Sequence, residues 1–201
     1  MFLQVFQGRV GDVEEVRSAL DRWVADLAPT APGWLGSTAG VTDGGMFVGL
    51  ARFASAEEAR RNSERPEQHQ WWMETAKLFS GEVVFHDYTD VEQMMGGGSD
   101  DAGFVQVIQG RTTDAERLRA LGREFERLAP GLRPDILGAT AGLAGDGTFT
   151  QAVYFTSEEA ARTGERAEPP PEVARLMEQE NALMADLFYF DLRNPWLVSP
   201  R

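Results

Sequence analysis

Phe104-Val105-Gln106-Val107-Ile108-Gln109-Gly110-Arg111 repeats Phe2-Leu3-Gln4-Val5-Phe6-Gln7-Gly8-Arg9 at an offset of 102 positions. The register persists: Gly138-Ala139-Thr140-Ala141-Gly142 answers Gly36-Ser37-Thr38-Ala39-Gly40, and Phe155-Thr156-Ser157 answers Phe53-Ala54-Ser55. Repetition at a fixed spacing reads as one structural unit made twice. The 201 residues therefore divide into two domains of ordinary size rather than one large one. The first repeat is placed at 1–95, a glycine-rich linker at 96–101, the second repeat at 102–193 and a tail at 194–201.

Each copy spells out the same order of elements. Phe2 to Arg9 alternates and is rich in aromatic and β-branched residues, which predicts a strand. Asp12 caps a helix whose apolar stripe is Val13, Val16, Leu20, Trp23 and Leu27, ending at Ala28-Pro29 because proline cannot continue it. The second stripe is Ala115, Leu118, Leu121, Phe125 and Leu128, ending at Ala129-Pro130-Gly131. Trp34 to Val41 and Met46 to Phe53 flank Thr42-Asp43-Gly44-Gly45, a hairpin signal; Ile136 to Leu143 and Thr148 to Phe155 repeat it. Ser55 and Ser157 then open a second helix in each copy, each followed by acidic residues that suit a helix N-terminus. Glu82 to Tyr88 and Leu187 to Leu192 close the units as strands.

The order β-α-β-β-α-β is the ferredoxin-like arrangement, an α+β fold with a four-stranded antiparallel sheet and two helices on one face. Strand one carries Phe2 and Phe6 on one face and Leu3 and Val5 on the other, so neither side is suited to water. The tandem copy is the expected cover, making an intramolecular pseudo-dimer, with further homo-oligomerisation left open.

Composition excludes several classes of function. The absence of cysteine rules out disulfides, thiolate metal sites, iron–sulfur clusters and cysteine nucleophiles. The formal charge of −13 is spread over both halves: residues 1–100 hold 8 basic and 16 acidic side chains, residues 101–201 hold 11 and 16. Nucleic acid is not an expected partner, because counterion release needs massed basic residues. No apolar run approaches the ~18 residues of a membrane span, and Met1-Phe2-Leu3-Gln4 lacks a basic segment ahead of an apolar one. A cytoplasmic location is expected.

The copies differ chemically. Both histidines, His69 and His86, lie in the first repeat, as do Trp23, Trp34, Trp71 and Trp72; His86 is matched by Phe190 in the second. A ligand is therefore sought in the first repeat. Two lone histidines make a poor zinc site, and Gly96-Gly97-Gly98, with no lysine and a strand following, is a linker rather than a phosphate loop.

Pro32-Gly33-Trp34-Leu35-Gly36 entering the hairpin, Phe47 to Phe53 leaving it, Ser55-Ala56-Glu57-Glu58-Ala59 and the aromatic helix around Gln70-Trp71-Trp72 resemble the dimeric α/β barrel superfamily. Within it the chain resembles antibiotic biosynthesis monooxygenase-like domains in tandem, as in two-repeat bacterial members of unassigned function. The resemblance implies that the two repeats form, within one chain, the barrel that single-domain relatives form by dimerising. It also implies a pocket between sheet and helices, lined by polar residues of strand one and an aromatic residue of helix two. By that resemblance His86 is the candidate catalytic residue, and Gln4, Gln7, Trp71 and Trp72 are candidate substrate-binding residues. An amide and an imidazole facing an aromatic wall suit a planar phenol or quinol and the oxyanion left by its deprotonation; no metal or other cofactor is expected.

The plainer alternatives are a hydrophobic core for the tryptophans, a core-edge position for His86 and a surface position for His69. The recurrence of Gln4 and Gln7 as Gln106 and Gln109 favours structural hydrogen bonds, and Asp87, recurring as Asp191, reads as a cap or turn residue. Haem-degrading relatives carry a helix histidine that the stretch after Trp72 lacks, and chlorite dismutase-like proteins carry theirs in the second unit, where this chain has none. The expectation is a cofactor-independent monooxygenase-like enzyme for an aromatic or polyketide-like substrate; a non-catalytic ligand-binding or stress-associated module, or an assembly module without ligand, is the alternative.

Overall fold

The computed structural model describes residues 1–200, apart from the side chains of Ala129 and Pro130. Two compact units emerge, one of residues 1–89 with 194–200, the other of residues 90–193.

In the first unit β1 (Phe2–Val10) leads to α1 (Val13–Asp26). The helix begins where it does because Asp12 Oδ1 accepts the N–H groups of Glu14 and Glu15 at 2.9 and 3.0 Å, satisfying donors that have no partner inside the helix. The hairpin β2 (Trp34–Val41) and β3 (Met46–Phe53) follows, then α2 (Ala56–Ser63), α3 (Pro66–Thr75) and β4 (Phe79–Tyr88). After Thr89 the chain continues as β5 (Asp90–Met94). The second unit runs β6 (Phe104–Thr112), α4 (Ala115–Leu132), β7 (Ile136–Leu143), β8 (Thr148–Phe155), α5 (Glu158–Arg166), α6 (Pro171–Leu183) and β9 (Met184–Leu192). A short strand, β10 (Trp196–Val198), ends the fold.

Both sheets are antiparallel and contain the ferredoxin-like order: β2-β3-β1-β4 in one and β7-β8-β6-β9 in the other. Each gains a fifth strand from chain outside its own repeat. β10 adds to β2, pairing Trp196 with Ala39 and Val198 with Ser37, whereas β5 adds to β7, pairing Asp90 with Leu143 and Met94 with Ala139. The boundaries drawn from the repeat, 1–95 and 102–193 with a separate tail, thus shift in the folded units. Ladder pairing, invisible in the repeat itself, assigns residues 90–95 to the second unit and the tail to the first.

Other elements differ from expectation for local reasons. The single second helix of each copy is two helices. Proline stands first in α3 and α6 and forces the residue before it out of the helical region; Arg65 accordingly has φ −69 and ψ 132. Its guanidinium holds the break by donating to Leu27 O at 3.3 Å, Asn62 Oδ1 at 2.9 Å and Thr30 Oγ1 at 2.7 Å. α4 runs past Pro130 to Leu132 instead of stopping at Ala129, since proline in a last turn removes only one ladder bond. The closing strands start earlier than expected, at Phe79 and Met184. A bulge interrupts each pairing with strand one, between Gln7 and Arg9 and between Gln109 and Arg111, which lets extra residues join the edge.

Strand alternation sorts each sheet into two faces. In the first unit Phe2, Phe6, Phe47 and Phe53 face the helices and join the clusters built on Trp23 and Val16. Leu3 and Val5, on the far face, are also fully buried, at 0% exposure, as the two-sided apolar pattern predicts. Phe6 finds room only because its cross-strand partner is Gly49: a Cβ there would lie 2.7 Å from the Phe6 ring. The second unit exchanges the sizes, with Ile108 opposite Gln151. Gly49→Ala should therefore lower unfolding free energy in urea by about 1–3 kcal/mol through overpacking, and Gln151→Ala should shift it far less. Equal effects would show that the fit of Phe6 over Gly49 is unimportant.

Candidate functional site

The five candidate residues do not share one face. Trp71 and Trp72 lie on α3, against the helix side of the sheet. Gln4 is directly paired with Asp87 and belongs to the same side as Phe2 and Phe6. Gln7 and His86 point the other way: His86 pairs with Val5, and Gln7 pairs with Val84, two residues before His86. Directly paired residues share a face, and the diagonal pair formed by Gln7 and His86 is spaced about 7–8 Å apart, within reach of long side chains.

The helix side is an aromatic layer. Ring centroids run Trp34 to Trp23 at 5.3 Å, Trp23 to Trp71 at 6.3 Å and Trp71 to Trp72 at 6.1 Å. Trp72 then meets Phe6, Phe79 and Phe85 at 5.9, 6.3 and 5.3 Å. Three indole N–H groups are used internally: Trp23 donates to Gln68 Oε1 at 2.6 Å, Trp34 to Ser37 Oγ at 3.0 Å and Trp71 to Ala19 O at 2.9 Å. Rings spaced this way with their polar ends tied are packing elements. Gln4 is likewise committed, its amide donating to Asp87 Oδ1 at 2.9 Å. Gln106 makes the same bond to Asp191, also at 2.9 Å. The shared glutamine and shared aspartate explain each other, as a bond that ties strand one to the closing strand in both units. In the second unit Arg162 extends it, pairing with Asp191 and, at 3.5 Å, with Glu158. His69, on the first turn of α3, is exposed.

The far face tells a different story at the second glutamine. Gln109 donates to Thr150 Oγ1 at 3.2 Å. The position matching Thr150 is Val48, directly opposite Gln7, and Gln7 Oε1 is buried with no hydrogen-bond partner among the described residues. A buried carbonyl without a donor is destabilising by roughly 1–3 kcal/mol. Beside it the second unit has Phe190 where the first has His86. The second unit thus gives its glutamine N–H an acceptor, whereas the first, with Val48 opposite, leaves the glutamine carbonyl oxygen without a donor among the described residues. His86 is half-buried in its strand, able to meet both the interior and solvent.

A further far-face residue was not among the candidates. Arg52, opposite Leu3 on β3, is 8% exposed and its Nε has no partner among the described residues. Its match in the second unit is Tyr154, 1% exposed. The signal was present in the chain: an arginine inside the otherwise apolar Phe47-Val48-Gly49-Leu50-Ala51-Arg52-Phe53. Among the described residues no group of three or more His, Asp or Glu side chains is placed to hold a metal ion, and no helix is long and apolar enough to cross a membrane.

No family model matches the sequence, and no curated protein matches it. Known structures do resemble it in fold. A monooxygenase candidate from Lactobacillus acidophilus NCFM superposes with a TM-score of 0.74 at 12% identity, covering 98% of this chain and 99% of its own. One from Fusobacterium nucleatum gives 0.73 at 10% identity, covering 98% and 94%. An anthrone oxidase-like protein gives 0.66 at 13% identity, covering 98% and 92%. Identities this low speak for architecture and not for activity. The chain has the tandem ferredoxin-like fold of these monooxygenase candidates, the fold that its resemblance to antibiotic biosynthesis monooxygenase-like domains implied.

Proposed function

We propose that the protein is a small-molecule oxygenase of the cofactor-independent kind, acting on a planar aromatic substrate at the far face of the first unit's sheet. The observation that carries this reading is the placement of His86 diagonally from Gln7 on one face of the sheet, beside a buried Gln7 Oε1 left without a donor among the described residues, in the unit whose twin sets Thr150 against the matching amide. The names borne by the similar structures, monooxygenase candidates and an anthrone oxidase-like protein, point the same way.

The chemistry follows from the two groups. Gln7 Oε1 accepts the hydroxyl proton of a phenolic ring and orients it; the His86 imidazole removes a proton from an activated CH2 of the same ring system. The resulting carbanion, delocalised over the aromatic system, is electron-rich enough to reduce dioxygen. Collapse of the peroxide gives a carbonyl and water: CH2 + O2 → C=O + H2O, four electrons leaving carbon and both oxygen atoms accounted for. Gln4 and Trp71 are scaffold in this reading, and Trp72 is the wall behind Phe6.

Oxygen uptake with a hydroxyanthrone, which carries both a phenolic hydroxyl and the activated CH2, corrected for its spontaneous oxidation, tests the assignment. His86→Ala should lower kcat/KM by about 10²-fold or more, the usual contribution of a general base. Val48→Thr should lower it too, by setting opposite Gln7 a hydroxyl that can donate to the open Oε1, while leaving the fold intact. Trp72→Phe should change it little. Loss of activity in Trp72→Phe with full activity in His86→Ala would move the site to the helix side.

A further inference from the structure

Arg52 occupies a position that the repeat treats in two ways. In the second unit Tyr154 fills it; in the first an arginine lies in a row with Leu3 and Tyr88 on the far face, 8% exposed. Guanidinium groups do not lose their proton in proteins, so this is a fixed positive charge taken out of water, which is strongly unfavourable unless an anion compensates it. Among the described residues no carboxylate forms an ion pair with it, and Nε has no hydrogen-bond acceptor. The backbone nevertheless makes room for it. Gly36 has φ +128, and a Cβ at that residue would fall 2.5 Å from Arg52 Nη2. The same point lies 2.9 Å from Val198 O and 3.1 Å from Ser199 Oγ. Residue 36 is thus held to glycine both by its conformation and by the guanidinium beside it.

We propose that Arg52 anchors a binding site for a small organic carboxylate in the first unit, taken side-on by Nε and Nη2. These two N–H groups share one edge of the planar fork, whose spacing matches the two oxygens of a carboxylate. The site stands on the buried guanidinium whose Nε has no acceptor among the described residues and on the glycine that accommodates it at position 36, and does not depend on oxidation at His86.

Benzoate and acetate are the probes, titrated into the full chain at constant ionic strength, with binding read by calorimetry and by the shift in Tm. Wild type should bind benzoate saturably and gain Tm with it. Arg52→Gln should weaken binding about tenfold or more, the scale of a lost hydrogen bond to a charged group. Arg52→Tyr installs the residue that the second unit already uses, so it should fold, bind no benzoate and melt at least as high as wild type without ligand. Absence of a saturable response in wild type, or an equal response in Arg52→Tyr, overturns the proposal.

Discussion

Trp23→Ala is expected to remove about 3–5 kcal/mol of stability from the first unit, the range for truncating a buried tryptophan. Trp23 joins α1 to the rest of that unit. Its ring touches Trp34 of the hairpin and Trp71 of α3, and its indole N–H donates to Gln68. Truncation leaves a cavity among three elements and an unpartnered amide oxygen, and close packing lets neighbours fill such a gap only in part. Trp23→Phe separates the two effects: packing is mostly retained, and the loss should fall to about 1–2 kcal/mol, the hydrogen bond alone. Urea unfolding followed by hydrogen exchange over β1 to β3 measures both. A loss below about 1 kcal/mol for Trp23→Ala would mean that the aromatic layer is not a load-sharing core.

Removal of residues 194–201 is expected to destabilise the first unit and leave the second unchanged in its own hydrogen-exchange protection. β10 belongs to the first sheet by pairing. Trp196 packs on Phe47 with centroids 6.2 Å apart, and Arg17 lies over its ring at 5.7 Å. Val198 packs on the cluster around Trp23. Burial of a large aromatic and two aliphatic side chains contributes several kcal/mol at roughly 25 cal/mol per Å²; Trp196→Ala alone should lose about 2 kcal/mol, because the ring is only half-buried. Faster exchange confined to β2 and β3 is the expected signature. Faster exchange in β7 and β8 instead would contradict the strand assignment.

Much of this fold was legible because its signals are local or repeated. Alternation in Phe2 to Arg9, the Asp12 cap, the hairpin turns and the serine caps each act within a few residues, and the repeat doubled every reading. Prolines 66 and 171 also act locally, and the split of the second helix could have been read from them. The pairing of β5 and β10 could not, since a short strand carries no mark of which edge it joins.

The candidate site was legible in its inventory and not in its arrangement. Comparison of the copies pointed to His86 and to the glutamines as residues needing partners. It did not separate Gln4, tied to Asp87, from Gln7, left open opposite Val48. Nor did it show that Trp71 and Trp72 lie across the sheet from His86, or bring Arg52 forward. Facing depends on register, and the register of β4 against β1 passes through a bulge whose position no periodicity announces.

The repeated Phe-x-Gln-Val-x-Gln-Gly-Arg strand therefore determined that the chain is a doubled unit, and the order of elements spelled out in each copy determined that the unit is ferredoxin-like, because both are carried by local pattern. Tertiary structure alone decided which polar side chains are satisfied and which remain open. Satisfaction is a property of pairs distant in sequence, and Thr150 or Val48 across from a glutamine is settled only when the strands meet.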